Sequence, residues 1–422
     1  MLLEFKVANF RSIGEEQVLS LVPSENQKEY FQNILTEGNY SALNLISIYG
    51  ANGSGKSNVL KAISVFLYKI KSSSKFSSTQ SLIFDPFILR EGWKLKPTTF
   101  EITFILNDSR YRYGFTYNKT TILKEWLFRK KIGREVNVFQ REGEIIDPSS
   151  SLKGNAKLID AAVEGTKDNA LFLSSLDALN IEEATEIFEF FQKFLSLDGT
   201  NTTPLRDDKA RWENEKIKSL VTSQIKRLNL GIVDIEAREE FDEENSEAVP
   251  NFKIMAKHRY YDPTGEPTKR RMSWDFYKRE SSGSKKVLEL SAPILAILQT
   301  GGVLSIDEIE ANMHPLLTLD TINLFLNKET NPRNAQLIFT THDTNLLSYS
   351  KLRRDQIYFA EKNNWESTEL YSLSDFVYME ANGDKIGKER PDSDKEKRYI
   401  EGRYGAIPVF GRLDAQEVEH NG

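Results

Sequence analysis

Apolar positions near the amino terminus alternate: Leu3, Phe5 and Val7 share one side of an extended chain and Phe10 closes the run, which predicts an opening strand. Residues 45–49, with Leu45, Ile46, Ile48 and Tyr49 around Ser47, predict a short buried strand that runs straight into a glycine-rich stretch. The period then changes. Leu60, Ile63, Phe66, Leu67 and Ile70 fall on one face at helical spacing, so strand, glycine loop and helix follow in that order.

From residue 100 the period is two, with Phe100, Ile102, Phe104 and Leu106, then Asn107 and Asp108 as a turn, then Tyr111, Tyr113, Phe115 and Tyr117. This predicts a hairpin, and the runs 122–128 and 136–140 extend it into an antiparallel sheet. The expected fold is therefore α/β with a mixed sheet and an antiparallel side sheet. Residues 155–228 read as helical, with Ile187, Phe190, Phe191, Phe194 and Leu195 in one stripe and the polar stretch 198–208 joining helices. They form an inserted helical lobe too short for a coiled-coil arm. Strand character returns at 231–237 and 252–256, split by the acidic run 239–244, which reads as a solvated loop. A last strand at 356–360 precedes a polar tail. The implied division is an amino-terminal core part (1–150), the helical lobe (151–230), a carboxy-terminal core part (231–375) and a tail segment (376–422).

Composition narrows the class. The chain has 422 residues, more than a single core usually holds, and its 39% hydrophobic content with 25 Phe and 16 Tyr is that of a folded chain. Cysteine is absent, which excludes disulfides, thiolate metal sites and cysteine nucleophiles and fits a cytoplasmic protein. Glu4 and Lys6 interrupt any signal-peptide core, and no apolar run reaches the roughly 18 residues of a membrane span. The net charge of -6 argues against a general phosphate-backbone binder but leaves room for a local basic face.

The glycine stretch 50–57 has the P-loop pattern. Its glycines free backbone N–H groups for phosphate oxygens, Lys56 supplies a point charge to the β and γ phosphates, and Ser57 offers a hydroxyl to Mg²⁺. Asn52, Gly53, Ser54, Gly55 and Asn58 complete the expected nucleotide contacts, and ATP with Mg²⁺ is the expected ligand. A second apolar run, 302–306, ends in consecutive acids: Asp307 would hold the metal shell and Glu308 would orient or deprotonate the attacking water. A third, 336–341, delivers His342 at a strand end, where open α/β sheets place ligand contacts, so a γ-phosphate contact is expected. His314 reads as a packing or dimer-loop residue. Finally, Ser281, Ser282 and Gly283 open an apolar helix whose free N–H groups suit an anion.

This order of P-loop, serine-glycine helix start, Asp-Glu strand and strand ending in His resembles the ABC-type ATPase heads of the RecF, SMC and OLD kind. The resemblance implies a homodimer or higher oligomer with composite ATP sites, in which Ser281, Ser282 and Gly283 of one subunit complete the site of the other. It also implies, through Asn9, Phe10, Arg11 and Ser12, that Arg11 reaches toward nucleotide. A closer resemblance, carried by Pro97 to Phe104 with Tyr111 to Phe115, Glu280 to Lys286, Ile306 to Pro315 and the segment 402–408, is to the RloA- and AbiL-like ATPases of antiphage systems. It implies a sensor or regulator of a separately encoded effector, often a TOPRIM-like nuclease. A RecF- or SMC-like DNA maintenance role and a nucleotide-bound scaffold are the competing expectations, and nucleic acid as a partner stays open.

Two departures matter. Only a short stretch follows His342, without the TOPRIM domain of OLD nucleases, and Asp384, Asp392 and Asp394 lack a preceding apolar strand, so no intrinsic nuclease is expected. Glu280 and Ser282 replace the first and third residues of the Leu-Ser-Gly-Gly signature of transporter ATPases. Residues 402–408 either pack over the core or present a docking surface.

Overall fold

Two sheets meet across the helix that follows the glycine loop. The structure is a computed structural model and describes residues 1–199, 215–240, 251–379, 385–390 and 393–408. One sheet is antiparallel throughout and takes in β1 (Leu2–Ala8), β2 (Gln17–Ser20), β6 (Thr98–Leu106), β7 (Ser109–Tyr117), β8 (Ile122–Lys130), β9 (Val136–Glu142) and β10 (Ile145–Pro148), in the order β10-β9-β8-β7-β6-β1-β2. The alternation read from 100 to 117 is the pleat of β6 and β7, paired from Thr98↔Tyr117 to Leu106↔Ser109 around the turn at Asn107 and Asp108. A short hairpin, β3 (Ile34–Glu37) and β4 (Tyr40–Leu43), leads into the second sheet.

That central sheet contains β5 (Leu45–Tyr49), β11 (Phe194–Asp198), β15 (Val303–Asp307), β16 (Gln336–Thr340), β17 (Ile357–Lys362) and β18 (Thr368–Ser372), in the order β11-β15-β16-β5-β17-β18. The first five are parallel and β18 is antiparallel to β17. Register aligns their carboxyl ends: Asp198 lies beside Asp307, Ile306 beside Phe339 and Thr340 beside Ile48. One edge of the sheet thus collects the ends of several chemistry-bearing strands, the place where open α/β sheets bind ligands.

Helix α1 (Lys56–Ser72) fills the space between the sheets. Phe66 is fully buried, with ring centroids 5.7 Å from Phe5, 6.2 Å from Phe100, 5.5 Å from Phe115 and 5.7 Å from Phe191. Truncating such a ring to alanine costs about 3–5 kcal/mol, so this contact fixes the helix that carries the P-loop lysine.

Between 155 and 228 lie α2 (Ala156–Gly165), α3 (Phe172–Ala178), α4 (Glu182–Gln192) and α5 (Glu215–Arg227). Helices α2 to α4 build no core of their own, since Ile159, Phe172, Leu176, Ile187 and Phe191 join the cluster around Phe66. The stripe read as purely helical breaks at Lys193: Phe194 and Leu195 enter β11, because they pair in parallel with Val303 and Leu304 and bury one face there. Asp198 ends that strand, and residues 200–208 of the expected 198–208 connection lie outside the described residues.

A third, antiparallel sheet comprises β12 (Ile232–Glu240), β13 (Asn251–Tyr261) and β14 (Pro267–Asp275). It packs Ile235, Ile254 and Ala256 against Val221 and Ile225 of α5 and Leu288 and Ala292 of α7 (Ser282–Thr300), which follows the single turn α6 (Phe276–Arg279). Glu239 and Glu240, read as loop, close β12, while residues 241–244 lie outside the described residues.

After α8 (Pro315–Leu326) and α9 (Asn345–Tyr349) the chain is more ordered than a polar tail. β17 and β18 are followed by the hairpin β19 (Val377–Met379) and β20 (Lys385–Lys388), then α10 (Lys395–Ile400), with Asp394 accepting from Lys397 N at 3.0 Å as its cap. Asp384 and Asp392 lie outside the described residues. Residues 402–408 take the packing alternative: Tyr404 is buried 5.5 Å from Phe359, and Tyr399 donates to Ala406 O at 2.9 Å. No described helix is long and apolar enough to cross a membrane.

Candidate functional site

The P-loop turns because its glycines permit it. Gly50 has φ 154°, and a side chain there would come within 2.4 Å of Ala360 O; Gly55, at φ 102°, is the left-handed cap of α1 and sits against Thr368. Lys56 begins α1, is buried, and donates from Nζ to Gly50 O at 2.8 Å and Ala51 O at 3.1 Å. Burial pushes its ammonium pKa down to about 8, against the pull of Asp307, Glu308 and Glu310. A buried cation held only by carbonyl oxygens at a helix amino terminus is a charge waiting for an anion. Ser54 Oγ, buried without a hydrogen-bond partner among the described residues, adds an orphaned group to the same loop. Asn52, Gly53 and Ser57 are exposed along its outer side.

Residues distant in sequence brace this loop. Thr368 Oγ1 donates to Ser54 O at 2.8 Å, Thr368 N donates to Ser12 O at 2.7 Å, and Asn58 Nδ2 donates to Ser12 Oγ at 2.7 Å. Arg11, at φ 52°, donates to Asp85 Oδ2 at 2.8 Å and to Asn58 Oδ1 at 3.2 Å. Arg11 therefore stands beside Asn58 rather than over the loop glycines.

At the carboxyl end of β15, Asp307 accepts a hydrogen bond from Thr340 Oγ1, which in turn accepts from Glu308 N at 2.7 Å. Glu308 has φ 49°, a backbone region that costs a residue with a side chain on the order of 1–3 kcal/mol and persists only where neighbours enforce it. Here Ile309 N donates to Thr340 O at 3.1 Å and Ala311 N to Glu308 O at 3.0 Å, locking the turn. The result aims Glu308 at the sheet edge, where its Oε1 lies 3.9 Å from His342 Nε2. His342 N donates to Glu310 Oε1 at 2.6 Å. Burial, and then the nearby Lys56 charge, lower the His342 pKa, so the ring is neutral at neutral pH.

Ser57, Asp307 and Arg11 line one cleft of about 650 Å³ between α1 and β11. A hydroxyl and a carboxylate opening on the same cleft, next to a buried lysine, are the oxygen donors a Mg²⁺–phosphate pair requires, so the residues fit that group.

The signature residues stand apart. Ser281 caps α7 by accepting from Ser284 N at 3.1 Å; Ser281 and Ser282 are exposed, and a side chain on Gly283 would meet Asn312 O at 3.3 Å. Among the described residues no hydrogen bond or ion pair joins Ser281–Gly283 to the P-loop, Asp307 or His342. Glu280 is held from behind by Trp274 Nε1 at 2.8 Å and His258 Nε2 at 2.9 Å, with the imidazole stacked 4.0 Å from the indole. His314 caps α8 by accepting from Leu316 N at 3.2 Å.

Thr340, Glu310, Ser12 and Thr368 escaped the sequence reading as site residues. Thr340 had a signal, a polar residue closing an apolar strand beside His342. Thr368 had none, for its partner Ser54 lies 314 residues away.

A protein-family profile described as "AAA domain, putative AbiEii toxin, Type IV TA system" matches residues 45–348, from β5 through the His342 strand. Among solved structures, the SMC head domain from Thermotoga maritima is similar at 13% identity and a TM-score of 0.41, covering 88% of this chain and 98% of that one. No curated protein matches the chain.

Proposed function

The chain belongs to this family of AAA domains, and from that premise we propose that it is an ATPase that hydrolyses ATP at the edge formed by the P-loop, Asp307, Glu308 and His342, acting as a dimer. The observation that carries the reading is the buried Lys56, held by two carbonyl oxygens and facing the acids at the end of β15. Mg²⁺, when bound, neutralises charge on the β- and γ-phosphate oxygens; Ser57 and Asp307 are the residues that would hold it.

Lys56 contributes a fixed charge near the transferred group, and its burial strengthens that charge relative to one in water. The neutral His342 donates a hydrogen bond toward the γ-phosphate while Glu308 accepts from the attacking water, the unusual backbone of Glu308 keeping the carboxylate at the edge. Arg11 and Asn58 line the nucleotide side. Ser281, Ser282 and Gly283 serve the site of a second subunit, a role supported by the exposure of the two serines and, among the described residues, by the lack of a hydrogen bond to the P-loop of their own chain.

We further propose control of a separately encoded effector in antiphage defence in the cytoplasm; this rests on the resemblance carried by Glu280 to Lys286 and Ile306 to Pro315, while the family description itself names a "putative AbiEii toxin, Type IV TA system". No intrinsic nuclease is proposed.

Glu308→Gln tests the core of this reading. Turnover should fall by about 10²–10⁴-fold while ATP is retained and the dimer persists in ATP, read by phosphate release, equilibrium binding and light scattering. Hydrolysis at the wild-type rate would remove Glu308 from the mechanism.

A further inference from the structure

The three-stranded sheet carries a feature that the nucleotide site does not use. β12 begins at Ile232 opposite His258, so β13 and β14 continue past it as a two-stranded ribbon closed by the turn at 262–266. This ribbon is strongly basic. Arg259, Lys269, Arg270 and Arg271 are exposed, and among the described residues none has an ion pair, whereas Lys257, one step further in, is neutralised by Asp234 and Glu236. The ribbon's own acids lie in its turn, where Asp262 accepts from Thr264 N at 2.8 Å and Glu266 N at 3.0 Å.

Arg259 and Arg271 are direct cross-strand partners. Like charges in that register destabilise a strand pair, a cost that a bound polyanion would offset; among the described residues Arg271 donates only to carbonyl oxygens, Thr268 O at 3.1 Å and Arg270 O at 3.4 Å. The acids Glu239 and Glu240 of the same sheet stand opposite Phe252 and Asn251, at the far end of β13, about 25 Å away at roughly 3.3 Å per residue. Tyr260 and Tyr261 are 41% and 51% exposed between the cations, with the Arg270 guanidinium 5.1 Å over the Tyr260 ring.

We propose that this ribbon is a nucleic-acid contact, in which Arg259, Lys269, Arg270 and Arg271 neutralise backbone phosphates. A two-stranded ribbon is narrow enough for a DNA major groove about 12 Å wide, and cations interleaved with tyrosine suit phosphate plus base contact. The net charge of -6 on the whole chain repels polyanions elsewhere and directs them to this end. The inference stands apart from the ATPase reading, because it is tested without nucleotide. Its position also matters, since β14 continues through α6 into Ser281.

The test uses the full chain with labelled DNA of about 30 nucleotides, as duplex and as single strand, titrated by fluorescence anisotropy at several salt concentrations. The wild type should bind with an affinity that falls steeply with salt. Arg259→Thr with Arg271→Thr should weaken binding about tenfold or more and lower the salt slope by about two, with a thermal midpoint unchanged or raised. Lys269→Ser with Arg270→Ser, at exposed positions near the turn, should act alike and guards against a folding defect in the first pair. Preference for duplex supports groove contact, and preference for single strand supports the same phosphates with tyrosine stacking. The inference is overturned by wild-type protein that binds neither DNA form, by both variants keeping wild-type affinity and salt slope, or by binding to polyglutamate alone, which would point to an acidic protein partner.

Discussion

The carboxyl edge of the central sheet and the amino end of α7 treat their polar groups in opposite ways. At the edge, Lys56 is wrapped by Gly50 and Ala51 carbonyls, Asp307 is held by Thr340, and Glu310 is tied to the His342 backbone. At α7, Ser281 engages only its own first turn and Ser282 is exposed. One region is organised before any ligand arrives; the other presents its groups outward. On the proposed reading, half of the chemistry is built within the chain and the other half is finished by a second subunit. Ser281→Arg tests this most severely. Turnover should drop by at least about a hundredfold while single subunits still bind ATP. Mixing that variant with Lys56→Ala should restore activity, to roughly a quarter of wild type for random pairing into dimers, since one site then has both intact halves. No recovery on mixing would place the serine in its own subunit's site.

A smaller break in the organised half is Thr340→Val. The hydroxyl holds Asp307 and receives Glu308 N, so its loss frees the carboxylate and relaxes the left-handed turn. Mg²⁺ dependence of hydrolysis should shift by about 10–100-fold to higher concentration, the usual cost of losing a partner of a metal ligand. An unchanged Mg²⁺ dependence would mean that Asp307 needs no orienting group.

Much of this edge could be read in the sequence because local period and local chemistry coincide there. Residues 45–49 lead into the glycines, Leu60 to Ile70 keep helical spacing, and Asp307, Glu308 and His342 each end an apolar run. What was hidden depends on pairing across the fold. Phe194 and Leu195 look like the end of a helical stripe until Val303 and Leu304 recruit them as a strand. Tyr399 and Tyr404 sit in a polar stretch, yet they bury against Phe359. The brace from Ser12 through Thr368 to Ser54 joins three separate segments, and no local pattern announces it.

The organised half also has a proton signature. In the free protein Lys56 titrates near 8, lowered by burial. A bound triphosphate favours the charged lysine and raises that value, so binding takes up a proton once the free lysine has lost its own. ATP affinity should therefore be flat below about pH 8 and fall above it by at most about tenfold per pH unit, measured by titration calorimetry in buffers of different ionisation heat. The outwardly presented half has no such group, and Ser281→Arg should leave the profile unchanged. A profile flat to pH 10 would show that the lysine is charged throughout and that the carbonyl cage stabilises it more than burial opposes it.

The mildest effect on turnover lies deeper in α1, where Lys69 inverts the logic of Lys56. Both are buried lysines on one helix, but Lys69 Nζ has no hydrogen-bond partner among the described residues and rests 3.8 Å over the Tyr117 ring. Burial lowers its pKa to about 7 from the ordinary 10.5. The folded chain thus rejects a proton that the unfolded chain accepts; the penalty is absent above 10.5, grows as pH falls through the interval, and is complete below about 7. Lys69→Met keeps the length and removes the charge. It should raise stability at pH 6 by about 1–5 kcal/mol, the upper figure following from about 1.4 kcal/mol per pH unit between 10.5 and 7 and the lower from the part of the cost that the ring face offsets. The gain should shrink as pH rises toward 10, with ATP turnover unchanged, as followed by chemical denaturation across that range. A loss of stability at pH 6 would mean that the cation over Tyr117 holds α1 in place, and that the P-loop helix is anchored by charge at both ends.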